Sequence, residues 1–163
     1  MGVLPQVVVV GSGFGGLAVA RHLTGADVHV TVIDRDNYHG FWPLLYQVAT
    51  AGLGPDDIAR PIRAMHTGAP NLTVRMGTVT GIDLCGRRVH IEDQPDACFD
   101  FLVLAAGSST ATFDIPGVAA HAFPLKTLPD AVRLRNHLLS SFEAAAADPT
   151  GTNVDAHLTM VLV

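Results

Sequence analysis

Three glycines near the amino terminus have the spacing of a nucleotide-binding turn. Gly11, Gly13 and Gly16 fit the pattern Gly-x-Gly-x-x-Gly, with Phe14 and Gly15 as the intervening residues. In this pattern the first glycine permits a tight turn, the second lets a pyrophosphate approach the backbone, and the third lets a helix pack on a strand. The unpaired N–H groups at the start of the helix, with their partial positive charge, then bind the phosphates. The spacing predicts a dinucleotide site.

An acidic residue follows the turn at the distance that ribose recognition requires. Asp34 comes about twenty residues after the glycines, at the end of a second apolar segment. A carboxylate there can accept hydrogen bonds from a ribose diol and would repel a 2′-phosphate. Asp34 and its neighbour Arg35 are therefore predicted to bind the cofactor. The alternative is an ordinary glycine-rich turn with Asp34 as a solvated strand end.

The segments around these residues predict a β-α-β unit. Residues 7–10 are four valines, typical of a strand that is buried on both faces of a parallel sheet. Apolar residues then recur at helical spacing until residues 24–25, where Thr-Gly ends the helix. A second buried strand occupies residues 28–33. The glycine turn therefore lies between a strand and a helix.

The next part of the chain predicts an inserted meander. Residues 55–57, Pro-Asp-Asp, are typical of a helix start, and a further proline soon limits that helix. Short strands are predicted over residues 72–75, 78–82 and 88–91, with a hairpin turn at 83–86. The fold class is thus α/β, a Rossmann-like domain with a parallel sheet and an inserted small antiparallel β-meander.

The last third of the chain returns to longer elements. Residues 101–104 predict another buried strand, and residues 127–130 have the spacing of a capping box with aspartate in place of the usual glutamate. An apolar stripe then runs to Phe142, and residues 148–151 end that helix. Residues 158–163 predict the start of a new buried strand.

The strand over residues 101–104 leads into Ala105-Ala106-Gly107. The order of glycine turn, meander and this strand resembles that of flavoproteins with two dinucleotide-binding domains. Their second FAD signature is an apolar strand ending in Ala-Thr-Gly, where the turn passes close to the flavin nucleotide. Ala106 replaces that threonine, so a hydroxyl is lost. The resemblance implies that Ala106 and Gly107 contact FAD; the alternative is a generic turn at a strand end.

A closer resemblance is carried by residues 37–49, Asn-Tyr-His-Gly-Phe-Trp-Pro-Leu-Leu-Tyr-Gln-Val-Ala. This segment is similar to the type II NADH dehydrogenases, whose pattern is Asn-x-His-x-Phe-x-Pro-Leu-Leu-Tyr-Gln-Val-Ala. Gly40 and Trp42 depart from the commoner leucine and glutamine. Residues 125–128 and the helix after them also resemble that family. The alternative for this apolar segment is simple core packing.

The resemblance implies hydride transfer from NADH to FAD and electron transfer from the flavin to a quinone. It places Pro43 at the isoalloxazine pocket and the backbone of Val79 at the adenine. No residue is predicted to be catalytic, because the cofactor performs the chemistry while the protein orients it and adjusts its electronics. Two alternatives stay open: another FAD-dependent NAD(P)H reductase that serves a ferredoxin-like protein, and a non-catalytic nucleotide-binding fragment.

The composition excludes several other classes. A formal net charge of -5 without a basic run is unlike a nucleic-acid-binding protein. Cys85 and Cys98 form neither a disulfide framework nor a metal motif, and the histidines are scattered, so no metal site is predicted. No segment is apolar for long enough to span a membrane.

The domain prediction follows from the resemblance. Residues 1–150 are assigned to an incomplete FAD-binding domain and residues 151–163 to the first strand of a truncated NADH-binding domain. NADH, quinone and peripheral membrane contact are then expected only of a longer parent protein, with the fragment itself inactive. The expected location is the cytoplasm, or the cytoplasmic face of the membrane for that parent.

Overall fold

The computed structural model describes residues 3–162, which form two compact units. Within the described residues, 3–40 and 59–108 make the first unit, and 41–58 and 109–162 make the second. The strands are β1 (Gln6–Val10), β2 (His29–Asp34), β3 (Tyr38–Gly40), β4 (Ala59–Pro61), β5 (Leu72–Met76), β6 (Val79–Asp83), β7 (Arg88–Ile91), β8 (Gln94–Cys98) and β9 (Phe101–Leu104). The helices are α1 (Phe14–His22), α2 (Leu45–Ala49), α3 (Pro55–Ile58), α4 (Ile62–Met65), α5 (Val118–His121), α6 (Leu128–Ala146) and α7 (Val154–Leu158), with a 3₁₀ helix at Trp42–Leu44.

A parallel sheet in the order β5-β2-β1-β9 is the centre of the first unit. The four valines of β1 divide between its two faces, as strand geometry requires. Val7 and Val9 pack with Ala20 of α1, whereas Val8 and Val10 pack with Val89 and Ile91 of the meander. A run of one residue type therefore serves two different cores, and the predicted parallel sheet is confirmed.

The antiparallel meander β6-β7-β8 covers the second face of that sheet. Its turn at residues 83–86 lies where the sequence predicts it, and Asp83 caps the turn by accepting from the Gly86 N–H at 2.8 Å. The sequence does not predict β8, because this strand contains Pro95 and has one buried residue, Ala97. An exposed strand of that kind carries too few apolar residues for a period of two to be visible.

The second unit is organised by the helix α6. Thr127 and Asp130 form the predicted capping box: the Thr127 N–H donates to Asp130 at 3.0 Å, and the Asp130 N–H donates to the Thr127 hydroxyl at 3.3 Å. Ala131, at the start of this helix, packs with residues of α2 and α3 in a separate buried cluster, whose members are Leu45, Val48, Ala49, Ile58 and Ala131. The capping box works with aspartate because its shorter side chain still reaches the N-cap amide.

The carboxyl-terminal segment differs from the prediction. Leu158 ends α7, and residues 159–162 form no strand; Val163 lies outside the described residues. A strand requires a hydrogen-bonded neighbour, and no strand within residues 3–162 pairs with this segment. The expectation of a strand is therefore wrong over 158–162. None of the described helices is both long enough and apolar enough to cross a membrane.

Candidate functional site

The carboxyl ends of three parallel strands meet at one edge of the sheet. Val10 of β1 is in register with Ile33 of β2 and with Leu104 of β9. The residues that follow these positions therefore lie side by side, at the edge where open α/β sheets bind their ligands. The predicted residues Gly11, Asp34 and Ala105–Gly107 are brought together in this way.

Gly11 makes the closest approach between the ends of β1 and β9. Its φ is +97°, and a Cβ atom at this position would overlap the carbonyl oxygen of Ala105 and lie 3.1 Å from the Cα of Ala106. The Gly11 N–H donates to the Ile33 carbonyl at 2.8 Å, which fixes the turn to β2 as well. Both the backbone conformation and the lack of space require glycine here.

Gly16 allows α1 to begin directly above the strand. A Cβ atom on Gly16 would overlap the carbonyl oxygen of Gly11 and lie 3.4 Å from a methyl group of Val9. The neighbouring Gly15 is less restricted, because its Cβ would lie 3.8 Å from the Cβ of Ala105, an ordinary contact. The structure therefore assigns helix-to-strand packing to Gly16, as the pattern of three glycines predicts.

Gly13 is the N-cap residue of α1 and has open space above it. Its φ is −64° and its ψ is −165°, it has no side chain with which to cap the helix, and the first turn contains no acidic residue. A Cβ atom built on Gly13 would meet no described atom within 4 Å, apart from its immediate chain neighbours. As a glycine, the N-cap residue has no side chain to offer as an acceptor to the N–H groups of the first turn. Such a helix start is suited to an anionic group.

The carboxylate of Asp34 holds the turn from the end of β2. One oxygen accepts from the Ser12 N–H at 2.5 Å and from the Ser12 hydroxyl at 2.7 Å. The other oxygen accepts from the Asp36 N–H at 3.0 Å. Each carboxylate oxygen has two acceptor positions, so Asp34 can still accept a further hydrogen bond from a ribose. Asp34 is therefore not a merely solvated strand end.

Arg35 and Asp36, the two residues that follow Asp34, have partly or largely exposed side chains. Arg35 is exposed and pairs with Asp36 at 3.8 Å. Burial, and then the nearby charge of Asp34, raise the pKa of Asp36 above its usual value. Burial also raises the pKa of Tyr38, with the charge of Asp36 as the next contribution. This edge of the first unit is therefore locally acidic, and Arg35 is its adjacent cation.

Val79 lies at the start of β6, beside the end of β5. The Gly77 N–H donates to the Asp34 carbonyl at 2.8 Å, so the β5-β6 connection passes the carboxyl end of β2. The side chain of Val79 packs on the buried cluster of the meander, which leaves its backbone as the part that could meet a ligand. Its predicted contact with adenine stays a prediction.

Ala106 and Gly107 are exposed and follow β9. The Ala105 N–H continues the ladder by donating to the Val10 carbonyl at 2.8 Å, and Gly107 then turns with φ at +74°. Pro43 belongs to the second unit, where it is exposed in the 3₁₀ helix Trp42–Leu44. The flanking Trp42 and Leu44 pack on the buried cluster of that unit. The core-packing alternative is therefore correct for these two residues, while the role of Pro43 stays a prediction.

The sequence prediction of the site misses two residues, Ser12 in the turn and His39 in β3. Ser12 is 3% exposed and donates two hydrogen bonds to Asp34, and His39 is 8% exposed and contacts the Ser12 carbonyl. Ser12 could have been found from the register of two adjacent parallel strands, which puts the residues after their ends together. In the sequence, His39 is a single histidine next to a long apolar segment, and this does not indicate which residue it contacts.

Comparison with known proteins agrees with this geometry. The model of the family described as pyridine nucleotide-disulphide oxidoreductase matches residues 5–157. The type II NADH:quinone oxidoreductase Ndh of Mycobacterium tuberculosis is 41% identical over 152 residues, which are 88% of this chain and 32% of that protein. NdhA of the same organism, also a type II NADH:quinone oxidoreductase, is 39% identical over 161 residues, or 97% and 34% of the two chains. The chain spans about a third of the length of these relatives.

Solved structures share the fold. NDH2 from Plasmodium falciparum, in complex with NADH, superimposes with a TM-score of 0.82 at 22% identity, covering 95% of this chain and 37% of that chain. A sulfide:quinone oxidoreductase from Aquifex aeolicus gives a TM-score of 0.75 at 24% identity, with 89% and 33% covered. At these identities the likeness concerns the fold alone, which is a Rossmann-like α/β fold.

Proposed function

Because this chain belongs to the pyridine nucleotide-disulphide oxidoreductase family, we propose that it is the FAD-binding part of a flavoprotein. In this proposal the whole protein passes electrons from NADH through FAD to a quinone. The choice of quinone as acceptor rests on the two mycobacterial relatives, which are NADH:quinone oxidoreductases by name and are 41% and 39% identical to this chain over the aligned residues.

The observation that carries the proposal is the glycine N-cap at the start of α1, with the open space above it. Gly13 leaves open space above the first turn, while Gly11 and Gly16 occupy positions where any side chain would overlap a backbone oxygen. The close packing at Gly11 and Gly16 holds the helix start against the sheet edge, and the open space at Gly13 admits a ligand. An anion at this point could accept hydrogen bonds from first-turn N–H groups to which the glycine N-cap offers no side chain. A pyrophosphate is the corresponding part of FAD.

We assign the other predicted residues to the remaining parts of FAD. Asp34 supplies a carboxylate for a ribose diol, and exposed Arg35 supplies a cation next to it. Phe14 is half-exposed, on the first residue of α1. We assign the backbone of Val79 to the adenine and the turn at Ala106–Gly107 to the flavin nucleotide. Pro43 is proposed to shape the isoalloxazine pocket.

Bound FAD would supply the redox chemistry, accepting a hydride from NADH and passing electrons to the acceptor. The chain's own contribution is to bind and orient that group. The fixed backbone of residues 11–16 holds the phosphates without side-chain rearrangement, so the site is preorganised for its ligand. We place the protein in the cytoplasm, or on the cytoplasmic face of a membrane, since Cys85 and Cys98 are both exposed and free.

Titration of the purified chain with FAD, followed by the change in flavin fluorescence, tests the proposal. We expect saturable binding by the wild-type chain and its loss in Gly13→Val, because the valine side chain would fill the space needed by the pyrophosphate. Gly52→Ala is the control: its new Cβ would lie 3.5 Å from the Gln47 carbonyl, an ordinary contact in the second unit. It should bind FAD like the wild type. Equal FAD affinity in Gly13→Val would refute the placement of the ligand.

The electron acceptor needs a separate experiment. The protein purified from the cells that make it should oxidise NADH when a soluble quinone is the acceptor. Reduction of a ferredoxin-like protein in preference to the quinone would contradict this part of the proposal and leave the FAD site unaffected.

A further inference from the structure

One buried imidazole contacts the backbone of the glycine turn. The Nδ1 atom of His39 lies 2.8 Å from the carbonyl oxygen of Ser12, although the two residues are far apart in the sequence. The His39 ring is 8% exposed and meets the ring of Phe14 edge-on, with the ring centres 5.3 Å apart. Because β3 pairs with β4 through His39 and Arg60, the backbone of His39 is held independently of the turn.

The chemistry of this contact specifies a proton. A carbonyl oxygen can only accept, so the Nδ1 atom of His39 must carry the hydrogen and donate it. In a trans peptide the C=O of one residue and the N–H of the next point in opposite directions. Holding the Ser12 carbonyl toward His39 therefore turns the Gly13 N–H away from the imidazole.

The preceding peptide of the turn is fixed by a different side chain. Asp34 accepts from the Ser12 N–H, so the Gly11–Ser12 peptide is held from the end of β2. His39 then holds the Ser12–Gly13 peptide from β3. Glycine on each side of Ser12 leaves these two peptides with more rotational freedom than residues with side chains would. The contacts from Asp34 and His39 restrict the rotation of these two peptides.

We propose that His39 is a positioning residue of the FAD site, which orients the Ser12–Gly13 peptide and so presents the start of α1 to the pyrophosphate. The inference rests on the proposed binding of FAD. His39 touches no part of the ligand in this proposal and acts only through the turn. Its contribution to affinity comes from restricting the turn before the ligand arrives.

Two substitutions separate this role from simple packing. In His39→Asn the amide nitrogen can take the place of Nδ1, whereas in His39→Gln it is displaced toward the position of Nε2. We expect the asparagine variant to bind FAD within about threefold of the wild type and the glutamine variant about tenfold more weakly. Packing alone predicts the reverse order, since asparagine leaves the larger cavity.

His22 offers a matched control at the other end of α1. Its Nδ1 atom also contacts a backbone carbonyl, that of Ala18 at 2.9 Å, but on the exposed surface. His22→Gln should therefore leave the FAD affinity unchanged. Equal affinities of the two His39 variants, or weaker binding by the asparagine variant, would overturn the proposal.

The protonation of the ring gives a readout that needs no FAD. Long-range ¹H–¹⁵N correlation spectra of the ligand-free chain should show His39 with its proton on Nδ1 at neutral pH. A proton on Nε2 alone would overturn the inference even if FAD binds. If the wild-type chain shows the Nδ1 proton but binds no FAD, the contact stands, and both the proposed function and the positioning role fail.

Discussion

Replacing Gly16 with alanine should destabilise the ligand-free chain, although alanine is the better helix former. In the interior of a helix this substitution favours folding by up to about 1 kcal/mol. Here the added methyl group would overlap the carbonyl oxygen of Gly11 and crowd a methyl group of Val9 at 3.4 Å. The first obstacle is a backbone atom, which a rotamer change cannot move. Relief requires a shift of α1, whose residues Leu17 and Ala20 are buried.

The expected size follows from these two opposing effects. Overpacking in a well-packed interior costs typically 1–3 kcal/mol, and overlap with a backbone atom belongs at the upper end. Subtracting the gain in helix propensity leaves a net loss of about 2 kcal/mol in the free energy of unfolding. Urea unfolding followed by far-ultraviolet circular dichroism measures this loss. With a typical dependence on urea, the midpoint should fall by about 1 M.

Gly15→Ala is the matched control in the same turn of the helix. Its Cβ would make an ordinary contact at 3.8 Å with the Cβ of Ala105, so only the gain in helix propensity remains. The urea midpoint of this variant should equal or exceed that of the wild type. A Gly16→Ala chain as stable as Gly15→Ala would refute the close packing of α1 on the end of β1.

Three further outcomes follow from the contacts of charged side chains. Asp34→Ala should weaken FAD binding and lower the free energy of unfolding by about 1–3 kcal/mol, since it leaves the buried Ser12 N–H without its acceptor. An unchanged FAD affinity in the titration and an unchanged free energy of unfolding in urea would contradict the assigned contact. Burial, and then the charge of Arg21, lower the pKa of His66 below 6.5. His66 therefore takes up a proton in the unfolded chain at a higher pH than in the folded chain, and the free energy of unfolding should decline as the pH falls through 6.5. His66→Gln should reduce that decline in urea midpoints measured at several pH values, and an identical pH dependence in both chains would exclude the effect. Hydrogen bonds from the Asn153 N–H, and then from Thr150, lower the pKa of Asp148 to about 2. The stability that these bonds contribute is therefore present above pH 3.8 and is lost as the pH falls toward 2. A titration midpoint near 3.8 for the Asp148 carboxyl, measured by NMR, would contradict this prediction.

Much of the first unit could be predicted because its signals are local. Four consecutive valines, three spaced glycines and an acid at the next strand end are read directly along the chain, and the structure places all of them as predicted. The capping box at Thr127 is equally local and is present with both of its hydrogen bonds. Such features depend on backbone conformations and side chains only a few residues apart.

Predictions failed where a segment depends on distant partners. The apolar residues 158–162 resemble a buried strand, but strand formation requires a neighbour, and among the described strands none pairs with them. The opposite error concerns β8, a mostly exposed strand that forms because β7 provides a partner for it. Hydrophobicity alone therefore predicts a strand at residues 158–162 that does not form, and it does not predict β8, which does.

The sequence by itself determined that a strand, a glycine turn and a helix follow one another, because the signals for all three lie within one short segment of the chain. Only the tertiary structure decided which groups hold that turn. Asp34 and His39 reach Ser12 from two other segments, and the meander covers the second face of β1. The register of parallel strands and the pairing of β3 with β4 bring these groups within hydrogen-bonding distance. Contacts of this kind depend on how separate strands align, which no spacing within a single segment specifies.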